Sequence, residues 1–291
     1  MPATISVNGR VTPATEAVIP VLDHGFLYGE GIYETLRTYN GGPFLLDRHM
    51  RRLRNSARMI VLDLPFTDAE LADRIRGTMS AAALHGAEAY IRVLVTRGVG
   101  ELTYDPAATP VPSVVIIVKP QIDPPPDAYE RGVRVIIADI VRNHPETVNP
   151  MIKSNNLLNS ALAAQQAIRR GGFEGIMRNY RGELSELTTA NLFIVKDRVA
   201  FTPPLESGLL PGITREFLFE VGAAVGIPVR EQVLRDEDLF AADEAFLTST
   251  TRELVPIAQV DERTIGTGRP GPVAKALLDE FRRRAWSGGP A

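Results

Sequence analysis

The sequence has no cysteine, which excludes disulfide bridges, thiolate catalysis and cysteine-ligated zinc or iron–sulfur centres. Histidine is scarce. Only His24, His49, His85 and His144 occur, no two at the spacing of a metal-binding pair, so no metal is expected. The longest apolar run, Val114–Val118, is far too short to cross a bilayer. Neither sign of charge dominates: 32 basic and 35 acidic residues leave −3, with no basic field to draw in nucleic acid or anionic lipid. The opening residues MPATISVNGR lack the basic-then-apolar pattern of a secretory leader. A soluble, cytoplasmic protein with neither a nucleic-acid nor a membrane partner is expected. Lysine is as rare as histidine. Only Lys119, Lys153, Lys196 and Lys275 carry an amine, so chemistry that needs one has four candidates.

What is present is an ordinary globular balance, 44% hydrophobic and 23% charged over 291 residues. That length suits roughly two domains. Residues 120–127, PQIDPPPD, hold four prolines in eight positions and read as a stiff linker. The expected division is therefore 1–118, a linker over 119–127, and 128–291.

Asn8-Gly9 predicts a hairpin between Thr4–Val7 and Arg10–Thr12. A strand over Ile32–Tyr39 and a short return strand at Phe44–Leu46 follow, then a helix over Arg48–Ile60. Thr67 with Glu70 forms a capping-box signature for a helix running to Gly86. Strands are expected at Glu88–Arg97, Ser113–Lys119 and Val133–Ala138, and a long helix at Ser154–Arg170. Strands at Glu174–Arg178 and Leu192–Val195 flank a turn at Asn179–Gly182. Beyond them come a helix at Gly212–Val225, strands at Val229–Val233, Glu244–Leu247 and Pro256–Val260, and a helix at Gly271–Arg284. The tail Ser287–Ala291 is expected to be disordered. Strands and helices mix without strict alternation, which points to two α+β domains.

Among the four amines Lys153 stands apart. Lys119 closes a strand before Pro120, Lys196 sits in a turn, and Lys275 lies on an amphipathic helix. Lys153 lies between an apolar dipeptide and an amide-rich helix start. An amine partly desolvated there becomes nucleophilic toward aldehydes; a capping or ion-paired lysine fits the same pattern. Glu186 precedes a buried strand and suits either a turn or a carboxylate that pairs with a protonated ring nitrogen. Gly208–Glu216 is a loop feeding a helix, where first-turn amides at Ile213 and Thr214 make an anion site or a plain helix start. Thr248–Arg252 adds hydroxyls and loop amides. Arg52 directly precedes core-facing Leu53 on an arginine-rich helix and either turns inward to clamp a phosphate or stays in solvent. Tyr90 and Arg92 share one face of a strand, which suits a carboxylate or a rim ion pair.

Each signal alone is modest, but their order along the chain is specific. DHGFLYGEGIYETLR (23–37), HMRRLRNSA (49–57), YIRVLVTRG (90–98), IKSNNLLNS (152–160), SELTTANLF (185–193), LLPGITRE (209–216) and FLTSTTRELVP (246–256) together resemble the class IV pyridoxal-phosphate-dependent aminotransferases. The resemblance covers roughly residues 3–260. It implies a fold type IV architecture, with a small N-terminal α/β domain and a larger C-terminal domain built on a mixed, barrel-like sheet. It implies pyridoxal 5'-phosphate as cofactor, amino and 2-oxo acids as substrates, and a homodimer or higher homo-oligomer.

Carried over by motif, Lys153 resembles the lysine of the internal aldimine, and Glu186 the carboxylate on the pyridine nitrogen. Arg52, Ile213, Thr214 and Thr250 resemble the phosphate cradle. Tyr90, Arg92, Thr250 and Thr251 resemble the substrate-carboxylate region, and Tyr28, Tyr33 and Arg37 join the substrate-binding set. Where many branched-chain enzymes have a tyrosine five residues after the lysine, this chain has Leu158, as the D-amino-acid enzymes do; the Tyr-x-Arg block points toward branched-chain members. The resemblance thus implies transfer of an amino group, of a branched-chain amino acid first, to 2-oxoglutarate. A D-amino-acid or (R)-amine aminotransferase and an aminodeoxychorismate lyase are the alternatives.

Overall fold

The computed structural model describes residues 3–288, so Gly289–Ala291 of the expected disordered tail lie outside the described residues. The chain divides into two compact units. One holds the chain up to Ile122 together with Ile152–Asn156; the other holds Asp123–Met151 and the chain from Leu157 onward.

The first unit is a six-stranded antiparallel sheet in the order β2-β1-β6-β5-β3-β4. Its strands are β1 (Thr4–Val7), β2 (Arg10–Pro13), β3 (Gly31–Tyr39), β4 (Gly42–Pro43), β5 (Ala89–Thr96) and β6 (Ser113–Pro120), and its helices α1 (His24–Leu27), α2 (Leu46–Met59) and α3 (Asp68–Ala82). Asn8 and Gly9 both have positive φ, 50° and 89°, which makes the tight turn joining β1 to β2. On β5 burial alternates up to Val95: Ala89, Ile91, Val93 and Val95 are buried with Leu53, Leu71 and Ile75 in one core cluster. The opposite face of β3 and β5 carries Tyr33, Thr35, Arg37, Tyr90 and Arg92, in the register Thr35↔Arg92 and Arg37↔Tyr90.

The second unit is built on a mixed sheet of nine strands. They are β7 (Val133–Ile137), β8 (Gly175–Arg178), β9 (Leu184–Leu187), β10 (Asn191–Lys196), β11 (Val199–Thr202), β12 (Val229–Glu231), β13 (Glu244–Ser249), β14 (Glu253–Val260) and β15 (Arg263–Thr264). Six of them, β10-β13-β14-β7-β8-β9, close on themselves through the pair Asn191↔Glu186, which makes the sheet barrel-like. Its apolar filling includes Val135, Ile176, Leu192, Leu247 and Val255. Helices α4 (Pro126–Glu130), α5 (Leu158–Arg169), α6 (Ile213–Val225), α7 (Asp236–Phe240) and α8 (Pro272–Trp286) complete the unit. Among the described residues no helix is long and apolar enough to cross a membrane, and no group of acidic, His or Cys side chains could hold a metal.

Four expectations need correction. The return strand after β3 is Gly42–Pro43; Leu45 adopts φ 51° and helix α2 starts at Leu46, so Phe44–Leu46 is not a strand. Helix α3 keeps its Thr67–Glu70 capping box but ends at Ala82, because Ala83 turns left-handed (φ 47°) before Gly86 is reached. The helix expected from Ser154 starts at Leu158. Residues 153–155 pair instead with the start of β3: Tyr33 N–H donates to Lys153 O (2.9 Å) and Asn155 N–H to Gly31 O (2.9 Å). Finally, Leu184–Leu187 is a fully buried strand that its polar residues concealed; the Ser185 hydroxyl is satisfied by Gly208 O at 2.9 Å.

Candidate active site

In the first unit the extension along β3 fixes Lys153 from both sides. Its own N–H donates to Ser56 Oγ on α2 (3.1 Å), and its carbonyl accepts from Tyr33. Its ammonium lies 4.5 Å from the centre of the Tyr33 ring, and the Arg92 guanidinium lies 4.0 Å from the same ring. Lys153, Tyr33 and Arg92 are thus brought together on the face that turns away from α2 and α3. Arg37 and Tyr90 lie farther along the same sheet face, and Tyr28 follows α1. Arg37 lies over the Tyr39 ring (4.4 Å), Tyr90 lies under Lys119 (4.7 Å), and Tyr28 packs against His24 and Tyr104.

The helix-facing side of β3 carries a buried ionic cluster. Arg52 donates through Nε (2.7 Å) and Nη2 (2.8 Å) to the two carboxylate oxygens of Glu34, and His49 Nδ1 is 2.7 Å from the same carboxylate. Burial alone would raise the Glu34 carboxyl. Arg52 and His49 outweigh it and hold it well below the usual carboxylate range. Burial pushes His49 the other way, to a lowered pKa that Glu34 only partly opposes, so the imidazole is neutral near pH 7. Its second nitrogen, Nε2, is buried without a hydrogen-bond partner among the described residues.

In the second unit Glu186 sits where β9 meets β10. Arg142 Nε donates to its Oε1 (2.8 Å), and the Leu210 amide (3.1 Å) and Asn191 Nδ2 (3.4 Å) approach Oε2. Asn159 Oδ1 accepts from Arg142 Nη1 (3.2 Å) and anchors that arginine to α5. Helix α6 starts at Ile213 behind Gly212, which caps it without a side-chain bond, so the first-turn amides at Ile213 and Thr214 point out of the helix. A Cβ on Gly212 would stand 1.9 Å from Asn191 Oδ1, so only glycine lets this loop approach Asn191. Thr250 and Thr251 occupy the half-buried turn between β13 and β14.

These donors fit a phosphorylated pyridine aldehyde. In the first unit an amine is held at a strand edge and an arginine is buried; in the second a buried carboxylate suits a ring nitrogen, and helix-start amides and hydroxyls suit a phosphate. Glu34, His49, Ser56, Arg142 and Asn191 were missed by sequence reasoning. Glu34 carried a signal, since alternation on β3 places a charge among Ile32 and Leu36 on the core face. His49, Arg52 and Ser56 follow at helical spacing. Arg142 carried none.

The comparisons identify the class of pyridoxal-phosphate enzyme to which these two units belong. Residues 31–260 match the family model for amino-transferase class IV. The chain belongs to this family, whose members depend on pyridoxal phosphate. It is 38% identical over 284 residues to a protein of Methanocaldococcus jannaschii assigned as a branched-chain-amino-acid aminotransferase, covering 97% of each chain. It is also 34% identical over 268 residues to D-alanine aminotransferase of Bacillus licheniformis, covering 92% of each. The crystal structure of the Escherichia coli branched-chain amino acid aminotransferase superposes with a TM-score of 0.94 at 34% identity, over 100% of this chain and 97% of that one.

Proposed function

We propose that this transaminase moves the amino group of a branched-chain L-amino acid to 2-oxoglutarate, with Lys153 as the amine that carries pyridoxal phosphate. The observation behind the reading is the double anchoring of Lys153, which holds its amine at the Tyr33 ring beside Arg92. The cofactor, when bound, supplies an electron sink for the carbon–hydrogen bond at the substrate's α-carbon. Lys153 Nζ takes the α-proton and returns it during transfer. Glu186, buried against Arg142, would keep a proton on the ring nitrogen. Arg52, held in orientation by Glu34, and the Ile213 and Thr214 amides would hold the phosphate with Thr250. Tyr33, Arg92 and Thr251 receive substrate carboxylates, and Arg92 suits the second carboxylate of 2-oxoglutarate.

A second reading, a D-amino-acid or (R)-amine aminotransferase, draws support from the D-alanine enzyme among the relatives and from Leu158 at the head of α5. Exposed Val18, Val21, Phe26, Leu102, Tyr104 and Val111 in the first unit support a homo-oligomer. The test is to mix holoenzyme separately with L-leucine, D-alanine and (R)-1-phenylethylamine and follow loss of the cofactor's absorption band. L-Leucine is expected to bleach it fastest. A response to D-alanine alone overturns the branched-chain reading.

A further inference from the structure

We infer that Arg252 is a positioning residue that clamps the turn carrying Thr250 and Thr251; the inference rests on the reading of that turn as a cofactor- and substrate-binding segment. The guanidinium of Arg252 reaches three neighbouring pieces of chain. Nη1 donates to Glu174 Oε1 (2.8 Å), Nη2 to Thr189 Oγ1 (2.6 Å) and Thr189 O (3.2 Å), and Nε to Ser249 Oγ at the other end of its own turn (3.1 Å). Glu174 is 4% exposed, and the hydroxyls of Thr188 and Thr189 also donate to it. One half-buried ion pair therefore ties the lead-in to β8, the turn between β9 and β10, and the turn between β13 and β14.

The turn needs such a clamp. Glu253, its exit residue, is left-handed at φ 58°, a conformation that a non-glycine residue keeps only where its surroundings impose it. Glu253 is held by Arg282 (2.7 Å), and Tyr129 donates to the Arg252 carbonyl (3.1 Å). Side-chain bonds thus grip the exit from Thr251 on the Arg252, Glu253 and backbone sides together. The β9–β10 turn tied down by the clamp follows directly after Glu186 and Leu187, so the same ion pair steadies the strand end that presents Glu186. A lysine at 252 offers one point charge and cannot serve acceptors on Glu174, Thr189 and Ser249 at once.

The test compares Arg252→Met, Arg252→Lys and Thr250→Ala holoenzymes with the parent. Readouts are amide hydrogen exchange across 248–253, the rate at which cofactor is lost on dilution, and the separate KM and kcat for the amino donor. Arg252→Met is expected to lose exchange protection in that turn, to release cofactor about tenfold faster and to raise KM about tenfold, with kcat changed less than about threefold. Arg252→Lys should fall between it and the parent, and it keeps the test open if the methionine variant folds poorly. A lowered melting temperature with exchange, cofactor release and KM all unchanged would overturn the clamp. If Thr250→Ala leaves cofactor release and KM unchanged, the reading of the turn as a binding segment fails instead; the exchange result still decides whether Arg252 holds it.

Discussion

Glu34 in the first unit and Glu186 in the second are both strand carboxylates buried against an arginine, and the two pairs differ in how they are built. Glu34 takes both of its partners from a single helix: His49 and Arg52 lie one turn apart on α2, within eighteen positions of Glu34. Glu186 is reached by Arg142, Asn191 and the Leu210 amide, each from a different stretch of the second unit. The first arrangement fastens a cation in place, since both oxygens of Glu34 face Arg52. The second surrounds a carboxylate with donors at the seam where the barrel closes. Glu34 is therefore expected to act on stability and on the aim of Arg52, and Glu186, in the proposed function, on chemistry.

The largest effect that would break this contrast is on Glu34. Glu34→Gln leaves the Arg52 guanidinium, 7% exposed, without its counter-charge, and should lower the unfolding free energy by about 3–5 kcal/mol in denaturant titrations. Glu186→Gln should cost less stability, because Arg142 retains Asn159 and is more exposed. Its main effect should be a fall in kcat of about tenfold to a hundredfold in steady-state assays. If the two variants behave alike, the division of roles is wrong. Gly212→Ala disturbs the second cluster without changing any charge. The new methyl group displaces Asn191, and calorimetric unfolding should show a loss of about 1–2 kcal/mol.

The smallest effect is the pH response of the first cluster. The folded pKa of His49 is lowered, so above pH 6.5 the ring is neutral folded and unfolded and adds no slope. As the pH falls below 6.5 the unfolded chain binds a proton that the buried ring refuses, and stability drops by at most about 1.4 kcal/mol per pH unit. Glu34, lowered too, contributes stability above its unfolded pKa near 4.5 and loses it only in strong acid. Unfolding titrations of the parent and His49→Gln between pH 7.5 and 5 should diverge below 6.5 with the parent steeper; parallel curves would mean the ring is protonated in the fold.

The same contrast explains how much was legible in the sequence. Local signals survived: the Asn8-Gly9 hairpin, the Thr67–Glu70 capping box, and the closure of α6 at Gly226, which has φ 68°. Lys153 stood out because the chain has so few amines, and the structure places it against the Tyr33 ring. The helix expected over Ser154–Arg170 starts only at Leu158, because residues 153–155 pair with β3 against local propensity. Glu34 was readable as a charge out of phase with its strand. Arg142 was not, because its partner lies 44 positions away and nothing in its local stretch marks it.

The account stands on Lys153 as the amine that carries the cofactor. Borohydride reduction of the holoenzyme, followed by peptide mapping, tests it directly. The account predicts a reduced pyridoxyl label on the peptide containing Lys153 and on no other. Label on Lys119, Lys196 or Lys275, or none at all, would contradict it.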